Sequence, residues 1–285
     1  MRRRMIGLAV VAVASWAWTA IAAAPATRPS PIVVPLWEHG VPDAAAHPGP
    51  ERDDGTGRIW NVSVPTMLVY LPPGGDDRPR MAIVFCPGGG YTHLTRLEGA
   101  DGLVQECLPR GVVVVALKYR LRPASADVER DARADAQQAI RLLRRNATVW
   151  NIDPHRIGLL GASAGANVVL NVVSHATPAD PTARQSGKPD FACLLSPWPD
   201  GHPIADYPLG KDPPPAFIAS ARDDHTAPTA FAEAIAAEYQ AAGAQHALWL
   251  IDEGGHAAFT LGGPGEGSHW SQRFWAWLRH IGMTP

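Results

Sequence analysis

Apolar residues fall along this chain in short unbroken runs, and between the runs lie longer stretches in which they recur every three or four positions. The runs cover residues 63–71, 81–86, 112–117, 156–160, 192–195, 216–219 and 247–251. Most lack polar alternation, the signature of strands covered on both faces. The intervening stretches, 98–110, 127–150, 164–175, 228–242 and 268–281, have helical periodicity. This alternation predicts an α/β fold: a doubly wound, mostly parallel sheet in a single domain, with a functional edge at the carboxyl ends of the strands.

The first 54 residues read differently. Arg2, Arg3 and Arg4 precede an apolar stretch from Met5 to about Ala22, and small residues follow to Ala26. That order predicts an export signal over residues 1–26, cleaved after Ala22 or Ala26, and hence a periplasmic or secreted protein without stable membrane association afterwards. Residues 27–54, rich in Pro, Ala and Gly, predict an irregular arm, which leaves 55–285 as the folded domain.

Charge narrows the partners. The 27 acidic and 25 basic residues nearly cancel, and no Lys/Arg cluster occurs beyond the N-terminus, so nucleic acid is not an expected ligand. Cys86, Cys107 and Cys193 cannot all pair, although one bridge among them stays open. Neither a zinc spacing nor a cofactor motif occurs, and none is needed by the chemistry described next.

Residues 155–160 run straight into Gly161-Ala162-Ser163-Ala164-Gly165 and then a helix. G-x-S-x-G between strand and helix is a sharp turn that projects the central hydroxyl above the sheet, which makes Ser163 the candidate nucleophile. After the strand at 81–86 comes Pro87-Gly88-Gly89-Gly90-Tyr91. Glycines here let amide N–H groups approach the oxygen of a tetrahedral intermediate, so Gly89, Gly90 and Ala164 are the candidate oxyanion donors. A serine hydroxyl needs a base, and the base needs an orienting acid. Asp223 and Asp224 follow the strand at 216–219, and His256 sits in a glycine loop after the strand at 247–251. The order Ser, Asp, His fits, with His256 preferred to His225. Of the two candidate acids Asp224 is favoured by its spacing to Pro228, and Asp223 is the alternative, which could instead cap the helix.

Tyr91 and Trp198 are the candidate substrate contacts, the latter either stacking on a sugar ring or packing its own loop. Trp270, Trp275 and Trp277 have the spacing of core residues on a helix.

With these motifs in view, the sequence resembles a family of bacterial α/β-hydrolases that contains acetylxylan esterases and related carbohydrate esterases. The likeness lies in Pro35-Leu36-Trp37-Glu38-His39-Gly40-Val41-Pro42, the 87–91 loop, Lys118-Tyr119-Arg120-Leu121, Asn151-Ile152-Asp153-Pro154, the Ser163 elbow and the Asp224 and His256 loops. Ala162, Ala166, Ala257 and Ala258 replace the residues that members often carry beside the reacting groups. The resemblance implies hydrolysis of acyl esters, foremost acetyl groups on a plant cell-wall polysaccharide or oligosaccharide such as xylan. The fold alone leaves a feruloyl esterase, a lipase or a peptidase open. A catalytically silent carbohydrate-binding protein is the reading of another class.

Overall fold

The computed structural model describes residues 29–44, 49–74, 78–95, 100–175 and 186–284. The export signal falls outside the described residues, as does the start of the helix predicted from residue 98.

In chain order the strands are β1 (Ile32–Pro35), β2 (Arg52–Asp53), β3 (Arg58–Trp60), β4 (Thr66–Tyr70), β5 (Arg80–Cys86), β6 (His93–Thr95), β7 (Val113–Lys118), β8 (Ile152–Ala162), β9 (Phe191–Leu195), β10 (Ala216–Ala221) and β11 (His246–Ile251). The helices are α1 (Ala100–Cys107), α2 (Val128–Arg145), α3 (Ala147–Trp150), α4 (Ala164–Ser174), α5 (Thr229–Ala241) and α6 (Trp270–His280). Eight strands form one sheet in the order β1-β4-β7-β5-β8-β9-β10-β11. From β7 to β11 neighbours are parallel, and the β1–β4 and β4–β7 pairs are antiparallel. The predicted sheet is therefore present, with strand ends displaced by a few residues.

Period-two alternation along the unbroken runs feeds two cores. Ala82, Val84 and Cys86 of β5 pack on one face with α2, α4 and α5. Met81, Ile83 and Phe85 pack on the other with α1 and α6. Trp270, Trp275 and Trp277 belong to this second core, as their spacing predicted. All three cysteines are buried and unpaired, so the bridge left open by the sequence does not form.

The arm departs from its predicted irregularity. Ile32–Pro35 adds an edge strand to β4, and Arg52–Asp53 opens a small antiparallel sheet, β2-β3-β6. A buried ion pair ties the arm to the domain. Arg120, 1 % exposed, donates from Nη2 to Asp135 Oδ1 at 2.9 Å and from Nη1 to the Pro42 carbonyl at 2.7 Å. The Trp37 indole donates to Asp135 Oδ1 at 2.8 Å. Two of the segments that carry the family likeness thus meet in a structural tie.

Candidate active site

Ser163 stands between β8 and α4 with φ 56° and ψ −122°, a left-handed conformation that a side chain holds only at a cost of about 1–3 kcal/mol. Close approach explains the flanking glycines. A Cβ on Gly161 would lie 2.1 Å from the Gly165 carbonyl oxygen, and one on Gly165 would lie 1.9 Å from that of Cys86. The loop after β9 grips the elbow: Ser163 N–H donates to the Leu195 carbonyl at 3.0 Å, and Trp198 N–H donates to the Ser163 carbonyl at 3.4 Å.

His256 lies in a single 3-10 turn after β11. Its Nε2 is 2.8 Å from Ser163 Oγ and its Nδ1 is 2.8 Å from Asp224 Oδ2. Asp224 is 3 % exposed, and its Oδ1 accepts from the Thr226 and Ala227 N–H groups at 2.9 Å each. That turn accounts for the spacing to Pro228: the carboxylate captures the last two amide donors before a residue that has none. The structure thus brings together the three residues chosen from the sequence, from the ends of β8, β10 and β11.

Asp223 does not cap a helix. Its carboxylate accepts from the N–H groups of Gly254 and Gly255, at 3.0 and 2.8 Å, and so holds the loop that carries His256. These two backbone bonds also hold its carboxyl below the usual carboxylate range. His225, the competing base, is exposed.

The glycine loop is fixed at both ends by tyrosines. Tyr119 donates its hydroxyl to the Pro87 carbonyl at 2.6 Å. Tyr91, expected to touch substrate, is instead wholly buried, with φ 59°, and donates to Asn167 Oδ1 at 2.7 Å. Its left-handed backbone turns the ring into the core, where desolvation raises the phenol pKa. It anchors the loop and does not line the site. Gly89 has φ 127°, and a Cβ there would stand 1.9 Å from the His93 carbonyl oxygen, so only glycine fits. Ala164 opens α4, where the N–H has no intrahelical acceptor and the helix dipole favours negative charge.

A cavity of about 890 Å³ opens over Ser163 and His256, lined further by Gly88, Gly89, Gly90 and Trp198. Trp198 lines the cavity and also packs against the first core, so neither use left open by the sequence is excluded, and Phe85, Leu160, Leu195 and Phe259 add apolar lining. His93 also lines this cavity and carried no sequence signal; it follows the glycine loop on β6. Asn167 did carry one, as a polar residue in an otherwise Ala/Val-rich helix. Among the described residues no cluster of three His, Cys, Asp or Glu side chains is arranged to hold a metal ion.

Residues 67–179 match the family described as BD-FAE. An acetylxylan esterase of Xylanibacter ruminicola is 30% identical over 131 residues, which are 46% of this chain and 25% of that protein. The chain therefore aligns with about a quarter of that relative's length. Among solved structures, an acetyl ester-xyloside bifunctional hydrolase from Caldicellulosiruptor lactoaceticus superposes with a TM-score of 0.74 at 24% identity, covering 92% of this chain and 100% of that one. A thermophilic esterase from Thermogutta terrifontis, with butyrate bound, gives 0.69 at 22% identity, covering 90% and 96%. The chain has the α/β-hydrolase fold of these enzymes and is similar to acetylxylan esterases and carboxylesterases.

Proposed function

We propose that the protein is a serine carboxylesterase that removes acyl groups, foremost acetyl, from a plant cell-wall polysaccharide or its oligosaccharides. The observation that carries this reading is the His256 ring, held 2.8 Å from both the Ser163 hydroxyl and the Asp224 carboxylate. In that arrangement Nδ1–H donates to Asp224, so Nε2 is free to take the Ser163 proton as Oγ attacks the ester carbonyl. Amide N–H groups of Gly89, Gly90 and Ala164 are the donors for the oxyanion that forms. Collapse returns the proton from His256 to the leaving alcohol and leaves an acyl-serine. Water, deprotonated by the same nitrogen, then releases the acid.

The sugar substrate is supported by the acetylxylan esterase likeness and by Trp198, an aromatic face at the cavity wall. The basic, apolar and small-residue order of residues 1–26 supports export to the periplasm or medium, and N-terminal sequencing of the protein recovered there tests it. The deciding experiment is acetate release from acetylated xylo-oligosaccharides and from an aryl acetate, with Ser163→Ala as control. Release from both substrates, lost in the variant, is the expected result. Release from the aryl ester alone removes the polysaccharide from the proposal. Release that persists in the Ser163→Ala protein removes the serine mechanism.

A further inference from the structure

His93 is a histidine at the cavity wall for which the triad has no use. Two contacts fix its ring. One face stacks on Trp60, with centroids 4.6 Å apart and planes 27° from parallel. Trp60 is in turn held by its indole N–H, which donates to Asp54 Oδ2 at 3.2 Å, and by Arg52 over its ring. The second contact sets the tautomer. Thr92 Oγ1 lies 3.0 Å from the Gly89 carbonyl oxygen and 3.0 Å from His93 Nδ1. Two oxygens that close repel unless a proton lies between them, and a hydroxyl has only one to give. Thr92 therefore donates to Gly89, and the bond to His93 takes its proton from Nδ1–H.

Nε2 is left as a lone-pair acceptor. Nδ1 is turned to Thr92 and one face to Trp60, so His93 offers the cavity its other face and the Nε2–Cδ2 edge. Cδ2 lies 3.3 Å from where a Cβ on Gly89 would stand, which sets this edge beside the glycine loop. Desolvation, and then the Arg58 guanidinium, lower the histidine pKa against the opposing Asp54 charge, which favours the neutral ring that keeps the acceptor.

A pinned acceptor on the wall of the cavity that opens over the reacting serine matches a hydroxyl donor. We infer that His93 sets specificity: its Nε2 accepts a hydrogen bond from a free hydroxyl on the alcohol half of the ester, next to the bond that is cleaved. An acetyl group has no hydroxyl, so for an acetyl ester the donor must come from the alcohol, as in a partly acetylated sugar. The inference rests on the esterase reading and deepens it, from esters at large to esters of vicinal diols.

The test uses two esters of one shape, trans-2-hydroxycyclohexyl acetate and cyclohexyl acetate, and reads the ratio of their kcat/KM values. Any loss common to both esters cancels in this ratio. The full protein should prefer the hydroxylated ester. His93→Phe keeps the stacking on Trp60 and removes the acceptor, and should lower the ratio by about threefold to tenfold, the worth of one hydrogen bond. His93→Gln, which restores an acceptor oxygen, should recover part of it. An unchanged ratio in His93→Phe, with both esters still turned over, overturns this inference and leaves the esterase standing. Equal loss in both variants also overturns it, because the ring and not its acceptor would then matter. Turnover of neither ester by the unaltered protein overturns this inference, and the aryl acetate assay then tells whether the esterase reading falls with it.

Discussion

Asp224→Asn separates the fold of the site from its chemistry. The two carboxylate oxygens have different tasks: Oδ1 accepts from the Thr226 and Ala227 N–H groups, and Oδ2 accepts from His256. Both backbone donors require an oxygen, so the asparagine amide must keep its oxygen towards them and turn its NH₂ towards His256. A donor at that position forces Nδ1 to accept and moves the ring proton to Nε2. Nε2 then has no lone pair for the Ser163 hydroxyl, although each heavy atom stays in place. Inversion of the tautomer should lower kcat about ten-thousand-fold, equivalent to about 5 kcal/mol of transition-state stabilisation, with little change in KM. Steady-state hydrolysis of an aryl acetate measures it, beside a thermal melt that should differ from the unaltered protein by only a few degrees. An Asn variant that keeps a tenth of the turnover would refute the tautomer argument. Collapse of the melt would show that the charge of Asp224 holds the turn, and not merely its oxygen.

Three further outcomes are expected. Asp223→Asn weakens the hold on the His256 loop. The folded-state pKa of Asp223 is depressed, so its stabilisation is present above about pH 4, the unfolded carboxyl value, and is lost as pH falls through the folded value. The gap in melting temperature between variant and unaltered protein should therefore close below about pH 4, and a gap that stays constant from pH 6 to 3 contradicts this. Arg120→Met leaves the buried Asp135 carboxylate without its cation and should destabilise by about 3–5 kcal/mol in urea unfolding. Adding Asp135→Leu should recover most of that loss, and no recovery would mean the arm contacts, not the unpaired charge, dominate. Burial pushes the thiol pKa of Cys86 and Cys193 up, and that of Cys107 up to about 12. No thiol should react with Ellman's reagent in the native protein, and all three should react in guanidinium; fast native reaction of any one contradicts the packing.

Central strands were legible because a doubly covered strand writes its burial into every position: Val113 to Leu117 are all fully buried. The edge strand β1 was not. Ile32 and Val33 are 43 % and 61 % exposed, so Ile32–Pro35 carries no burial pattern to read, and β2, β3 and β6 are too short to show one. The same divide runs through the site. Ser163, Asp224 and His256 are each marked by local backbone chemistry, a strained turn, an Asx turn before proline and a glycine loop. The tasks of Asp223 and His93 depend on what other loops bring near them, and nothing in their own neighbours announces it. Tyr91 was misread for a related reason: a residue beside three glycines can face either way, and only its φ of 59° decides.

Of the seven described residues other than glycine with left-handed backbone, four, Tyr91, Ser163, Ser196 and Asp200, lie in loops at the carboxyl edge of the sheet. Each such residue would relax if replaced by glycine or released from its neighbours, so part of the fold's free energy is held as tension around the reacting serine. Selection for heat resistance alone will therefore meet its easiest gains in these loops and lose turnover as it takes them. A search for robust variants should instead be directed at the amino ends of the strands and at the helix surfaces, where tension and catalysis are not the same residues.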